Sequence, residues 1–388
     1  MSSPTAPRIS RTKTDTVAEA PVPLNDVKRQ YETLGEQINA AIRRVAASGR
    51  YVFGPCTAAF EGAFADYCGT RHCVGLANGT DALEIALRAV GCGPGDDVVT
   101  TPNSGMYATA AILAAGARPV LADIEPQQMT MAPASLAAVL GTRVKAVIVT
   151  HLYGRLADMD RISAVTRGTR IALIEDCAQA HGAERGNRKA GSFGAIGCFS
   201  FYPTKNLGAL GDGGAIVTND HGLAEAAREL AQYGWRSKYR AVRPGGRNSR
   251  LDEIQAAVLT LKLAHLDGWN AKRRDIVRRY SAALGAAAML LPKSGDDAAH
   301  LCVLRSKNRA ELREHLARDG IENEVHYPIP DHRQPALQSV FAGAPALPHA
   351  ERAADEVLTI PCFPELTDGE VERVCESLAR FSERERQR

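Results

Sequence analysis

The sequence predicts an α/β protein built on a mostly parallel sheet flanked by helices, and two patterns in the chain predict it. From residue 72 onward, short β-rich runs alternate with helical stripes, the order that generates parallel strands joined by crossover helices. Several of those runs, such as VKAVIVT and IALIED, are apolar almost without interruption, as strands buried on both faces must be.

The strand candidates are His72–Ala77, Asp97–Thr101, Arg118–Asp123, Lys145–His151, Ile171–Asp176, Gly197–Tyr202 and Gly214–Asn219, seven in all. Thr80–Val90 is a helix, with Leu83, Ala86, Leu87 and Val90 on one stripe. The last two strands are separated by a glycine-rich loop rather than by a helix, and this spacing permits a change of strand direction there. Strand order does not follow from these patterns. Beyond Asn219 the chain turns helical over 223–232 and 249–265. A long helix over 269–284 leads into a smaller C-terminal α+β domain with a strand at 301–304, a helix at 309–319 and a closing helix from Asp368. The expected division is a disordered Ser/Thr/Pro-rich tail over 1–20, a large domain over 21–265 and a small domain over 266–388.

Composition narrows the function classes. Basic and acidic side chains number 47 and 44, a net charge of +3, which argues against a nucleic-acid surface. The basic runs Lys272-Arg273-Arg274 and Arg278-Arg279 fall on a helical pattern and read as a solvated face. The nine cysteines are scattered and never form CxxC, so neither a disulfide framework nor a zinc site is expected, and a reducing cytoplasm suits them. No apolar stretch approaches the roughly 18 residues a membrane span needs, and the first twenty residues lack the apolar core of a secretory signal.

In open parallel sheets, ligands bind beyond the carboxyl ends of the strands. Asn78-Gly79-Thr80 follows the first strand and opens a helix whose free N–H groups and Thr80 hydroxyl suit a phosphate, although a plain helix cap explains the same residues. Asp176 ends a buried strand, with Gln179 and His181 just beyond. It fits either a structural ion pair or a partner for a protonated pyridine nitrogen. Lys205 lies in FSFYPTKNLGALGDGG after the sixth strand. By itself it reads as a solvated charge; desolvated beside a cofactor it would be a nucleophile and base. Ser200 adds a hydroxyl at the same strand end.

The long segments ANGTDALEIAL, HLYGRLADMD, IEDCAQAHGA, FSFYPTKNLGALGDGGAIVTND and NSRLDEIQAAVL, in this order, resemble the DegT/DnrJ/EryC1/StrS family of sugar aminotransferases. The resemblance runs from about Leu24 to the C-terminal region and implies the pyridoxal-phosphate-dependent transferase fold type I. It implies that Lys205 carries pyridoxal 5'-phosphate as a Schiff base and acts as the acid/base. Asp176 is then the partner of the pyridinium nitrogen, Gln179 a contact of the ring hydroxyl, and Gly79, Thr80 and Ser200 the phosphate cradle. Asn248 would reach the phosphate from the neighbouring subunit of a homodimer with shared active sites. His326 and Tyr327, in VHYPIP, would lie near a bound nucleotide-sugar. The family's usual PxNTFxAT segment reads Pro102-Asn103-Ser104-Gly105-Met106-Tyr107-Ala108-Thr109 here, so Met106 fills the ring-stacking aromatic slot, with Tyr107 as the alternative.

The implied reaction takes an amino group from L-glutamate and passes it to a ketosugar nucleotide. NSRLDE followed by KLAHLDGWNAKRR is similar to the branch that aminates C3 of dTDP-linked 3-keto-6-deoxyhexoses; a C4 aminotransferase, a ketocyclitol aminotransferase and an aromatising synthase stay open. A sugar dehydratase of this fold resembles members with His at the lysine position, and Lys205 speaks against it. A binding module without catalysis would have no use for the set Lys205, Asp176 and Gln179.

Overall fold

The computed structural model describes residues 20–285 and 297–387, so the tail expected over 1–20 lies almost wholly outside the described residues. Seven strands form the central sheet: β1 (His72–Leu76), β2 (Asp97–Thr100), β3 (Arg118–Leu121), β4 (Val144–Thr150), β5 (Ala172–Asp176), β6 (Ile196–Ser200) and β7 (Gly214–Thr218). Their spatial order is β1-β7-β6-β5-β4-β2-β3. The pairs from β6 across to β3 are parallel, whereas β7 runs antiparallel to both β6 and β1. The direction change therefore falls at the glycine-rich loop between β6 and β7, where no helix is present to carry a parallel crossover.

The apolar continuity of the strands reflects a layer on each face. Ile148, Ile174, Ile196 and Ile216 join one core with helices α3 (Gly79–Ala89), α4 (Tyr107–Ala114) and α7 (His221–Ala231). On the opposite face Val147 and Val149 pack with helices α5 (Pro133–Val139) and α6 (Met159–Thr166). Beside them Phe199 and Phe201 of the β6 segment meet Phe60 and Phe64 of α2 (Pro55–Cys68), with edge-on ring contacts at 4.9–5.3 Å. Burying each such ring contributes roughly 1.5–3 kcal/mol, so this cluster fixes β6, and with it the loop bearing Lys205, against α2.

The helix over Val27–Ser48, α1, packs on α8 (Glu253–Leu263). Helix α9 (Leu266–Leu284) connects the two halves. Leu266 lies in the large core, whereas Ile276, Val277, Tyr280 and Leu284 lie in a second core. That second core contains β8 (Cys302–Arg305), which pairs antiparallel with β9 (Val357–Ile360), together with α10 (Arg309–Arg318), α11 (Pro348–Glu356) and α12 (Asp368–Gln387). Val22 belongs to it as well, bridged to Ile321, so the described chain begins on the small half. Arg29 of α1 ties back to it through a two-pronged pair with Glu370, at 2.7 and 2.8 Å.

One expectation needs correction. The basic run at 272–274 is not uniformly a solvated face: Arg273 is buried and donates to the carbonyls of His300 and Cys362, under the junction of the two halves. It lies on the same stripe as Ile276, Val277, Tyr280 and Leu284, all of them buried. Helical geometry turns it inward while Lys272 stays exposed. Among the described residues, no helix is long and apolar enough to cross a membrane.

Candidate active site

The carboxyl ends of β1, β4, β5 and β6 bring the predicted residues to one edge of the sheet. At the end of β1, Asn78 caps α3: its side chain accepts from the Asp81 amide at 2.8 Å, and its carbonyl accepts from Ala82. The amides of Gly79 and Thr80 precede that first intrahelical bond and are available to an anion. A Cβ at Gly79 would lie 2.6 Å from the Ser200 Cβ and 3.1 Å from the Ser200 Cα. Only glycine lets the start of α3 pack so tightly on the end of β6, which puts the Ser200 hydroxyl beside the two free amides.

Asp176 ends β5 and is buried. Its carboxylate accepts from the Ala178 amide at 3.1 Å and faces the Thr150 hydroxyl of β4 at 3.3 Å. Desolvation raises its pKa, opposed by the Ala178 amide and by the charges of Lys205 and His151. Lys205 follows β6 on a turn closed by its own amide to the Tyr202 carbonyl at 2.8 Å. Burial pulls its pKa down to about 8, against the attraction of Asp176. Three imidazoles lie within electrostatic reach of Lys205. Burial, reinforced by that charge, brings His181 down to about 3 and His300 well below the ordinary range, and it lowers His326 as well.

Gln179 is held at both ends of its amide: its Oε1 accepts from the Tyr153 amide at 2.7 Å, and its Nε2 donates to the Tyr327 hydroxyl at 3.2 Å. Tyr153 in turn donates its hydroxyl to the His326 carbonyl, and His326 Nδ1 pairs with the Thr359 hydroxyl at 2.9 Å. Tyr327 thus meets Gln179 through its hydroxyl, while His326 is anchored to Thr359 of β9 in the small half. Gly105, at φ +77°, lies so close beneath the Tyr327 ring that a Cβ would approach its edge to 2.8 Å. Met106, also left-handed at φ 70°, is partly buried against the second core, whereas Tyr107 is half-exposed with its ring edge-on to Tyr327 at 6.3 Å. Asn248 is exposed on this chain, and its backbone bridges to Gln232. The neighbouring Ser249 is buried and accepts the Ala77 amide just ahead of the cradle.

Tyr153 and Asp331 carry site contacts that the sequence reading did not single out. Tyr153 sits within the segment HLYGRLADMD, so the signal was present there; the segment around Asp331 carried none. Nearby, His151, Glu175 and Cys177 converge closely enough to suggest a metal. Their donor atoms are already engaged: Glu175 accepts from Gly191, Phe193, Gly194 and His151, and His151 Nδ1 accepts from Ala157. The cluster locks the loop after β5 instead.

These features bring two uncommitted amides at a helix start, a buried carboxylate and a desolvated lysine to one edge of the sheet. The chain belongs to the DegT/DnrJ/EryC1/StrS aminotransferase family, whose pattern matches residues 32–379. It is 42% identical over 372 residues to the dTDP-3-amino-3,4,6-trideoxy-alpha-D-glucose transaminase of Streptomyces venezuelae, covering 95% of this chain and 98% of that protein. The crystal structure of S. venezuelae DesV superposes with a TM-score of 0.90 at 41% identity, over 94% of this chain and 99% of that one. The structure of NtdA from Bacillus subtilis, with the bound cofactor PMP, gives a TM-score of 0.88 at 31% identity, over 95% and 87% of the two chains. The protein is a pyridoxal-phosphate-dependent transaminase of fold type I.

Proposed function

We propose that this enzyme transfers an amino group from L-glutamate to C3 of a dTDP-linked 3-keto-6-deoxyhexose, a step in amino-sugar biosynthesis. The observation that carries the catalytic part is Lys205, desolvated to a pKa of about 8 within reach of Asp176. The likeness to the Streptomyces venezuelae transaminase supports the sugar and the position.

The residues present fit the cofactor. Gly79, Thr80 and Ser200 would hold its phosphate, because the close packing of Gly79 on Ser200 leaves two amides and a hydroxyl together. Asp176 would face its ring nitrogen, and Gln179, aligned by Tyr153 and Tyr327, its ring hydroxyl. When bound, the cofactor supplies an electron sink that stabilises negative charge at the donor Cα. Lys205 would supply the rest: its neutral amine would hold the cofactor and, when free, would move the proton to and from the donor carbon. The buried His181 and His300 stay neutral and do not compete for that role.

His326 and Tyr327 are assigned to the sugar-nucleotide side of the site, and Met106 to the face of the ring. We propose a homodimer with shared active sites, in which Asn248 of the partner subunit would complete the phosphate site; the exposure of Asn248 beside Ser249, which is anchored at Ala77, supports this reading. All nine cysteines are free thiols, which favours a reducing compartment, the cytoplasm.

Loaded with pyridoxal phosphate, the protein should show a visible absorbance band that glutamate removes, and borohydride should fix the label on Lys205. Lys205→Ala protein that turns over at the wild-type rate would refute the assignment. Incubation with 3-keto and 4-keto dTDP-sugars, with the new amine located by NMR, tests the position. An amine at C4 would place the enzyme in the other branch.

A further inference from the structure

The loop between β2 and α4, residues 101–106, is gripped from the other half of the molecule at two points. Tyr327 lies over Gly105, as described above. Four residues later, Asp331 makes three contacts with the same loop and the helix it starts. Its amide donates to the Pro102 carbonyl at 2.8 Å, its Oδ1 accepts from the Met106 amide at 3.2 Å, and its Oδ2 accepts from the Thr109 hydroxyl at 2.5 Å. Asp331 is fully buried, and Met106 is the left-handed residue at which α4 begins. Asp331 therefore caps α4 from a distant part of the chain, doing the work that the Met106 side chain cannot.

The carboxyl is held there at a cost. Burial raises its pKa to about 7, although the Thr109 hydroxyl and the Met106 amide both favour the ionised form. A group kept in a dry site against that penalty, with both carboxylate oxygens directed at one loop and the helix it starts, points to a positioning role. The same loop touches Tyr327, and Tyr327 holds Gln179.

We infer that Asp331 is a positioning residue for the transamination, clamping the loop of Gly105 and Met106 against Tyr327 so that the ring-facing wall of the site is ordered before the amino donor arrives. The inference rests on the cofactor assignment above. Asp331→Ala opens the clamp. Asp331→Asn retains an oxygen for the Met106 amide and offers an NH2 group to the Thr109 oxygen, so it preserves the geometry while removing the charge.

The test compares the loaded wild-type, Asp331→Ala and Asp331→Asn enzymes by the visible circular dichroism of the cofactor, the rate of the glutamate-driven spectral change, and the KM for glutamate. For Asp331→Ala the rate should fall roughly 10- to 100-fold, the scale of a small misplacement of a reacting group, with an altered dichroic band. Asp331→Asn should recover most of the rate and the wild-type band. Should Asp331→Ala fail to fold, Thr109→Val, which removes one of the three contacts, should shift the band and rate in the same direction by less. Loss of thermal stability with band and rate unchanged would overturn the clamp. A wild-type protein that shows no visible band on loading would overturn the cofactor assignment itself, and the clamp with it.

Discussion

Substituting Gly79 by alanine separates the structural from the chemical role of the α3 start. The added Cβ would meet the Ser200 Cβ at 2.6 Å and the Ser200 Cα at 3.1 Å. Carbon atoms pack at about 3.5–4.0 Å, so α3 and β6 must part by about 1 Å. No rotamer change relieves this, because one of the obstructing atoms is backbone. Overpacking of this kind costs about 1–3 kcal/mol, offset by about 0.5–1 kcal/mol because alanine favours the helix more than glycine does. The net loss, about 1–2 kcal/mol, should lower Tm by a few degrees. The same displacement pulls the Gly79 and Thr80 amides away from the Ser200 hydroxyl. Losing one charge-assisted hydrogen bond to phosphate costs about 1.5–3 kcal/mol, so the Kd for pyridoxal phosphate should rise about 10- to 100-fold. Titration of the apo-protein, followed by the quenching of tryptophan fluorescence, measures it. Ser200→Ala, which leaves the packing intact, should weaken binding without lowering Tm as far. If Gly79→Ala lowers Tm as expected but leaves Kd unchanged, the cradle lies elsewhere and Gly79 serves packing alone.

Two further outcomes follow from charge. In the proposed assignment the nucleophile is the neutral Lys205 amine, so the rate at which apo-protein captures pyridoxal phosphate should climb with pH through an inflection near 8, where burial has placed the lysine. Asp176→Asn removes the attraction that raises that pKa and should move the inflection lower; stopped-flow absorbance across pH reads both, and an inflection near the ordinary lysine value would refute the desolvation. Arg29 of α1 holds Glu370, on the small half, down at about 2. Its contribution is fully present above the ordinary glutamate value and is lost as pH falls through about 2. Arg29→Ala should therefore cost about 1–2 kcal/mol near neutrality, after discounting for a partly exposed pair, and should flatten the acid limb of the stability curve measured by urea unfolding.

The parallel sheet was legible because residues such as Val147, Ile148 and Val149 must each find an apolar layer, whichever face they point to. The reversal at β7 was legible as a possibility, since a glycine-rich loop stands where a crossover helix would be needed. The pairing of β8 with β9 was not, because the four residues Val357–Ile360 follow α11 directly and their partner Cys302–Arg305 lies far back in the chain. A strand without a local turn signal is recognised only through its partner. Arg273 was misread for the opposite reason. The local signal, a basic triplet, was loud, and the quieter one, its place on the stripe of Ile276, Val277 and Tyr280, was decisive. In the site, Lys205, Asp176 and Gly79 stood out because strand ends are where such folds bind ligands. Asp331 was invisible, because its value lies in contacts to residues 102, 106 and 109, more than two hundred positions away.

What the structure adds to the proposed role of Lys205 is a reason why it would act alone. Its neighbourhood contains His181, His300 and His326, and an ordinary imidazole is a plausible proton carrier near neutrality. Burial removes that option: an imidazolium in a dry site beside an ammonium meets both a desolvation penalty and like-charge repulsion, and His181, down at about 3, is neutral at every pH at which the enzyme would work. Lys205 meets the same desolvation but also the opposing charge of Asp176, and the balance leaves it at about 8, where both protonation states are accessible near neutrality. The two groups on adjacent strand ends thus support the proposed assignment together. Asp176 opposes the lowering of the lysine, and the surrounding burial keeps it from being an ordinary surface cation. Replacing His181 by asparagine should leave the pH dependence of cofactor capture where Lys205 sets it; a lost or displaced inflection would show that the proton is shared after all.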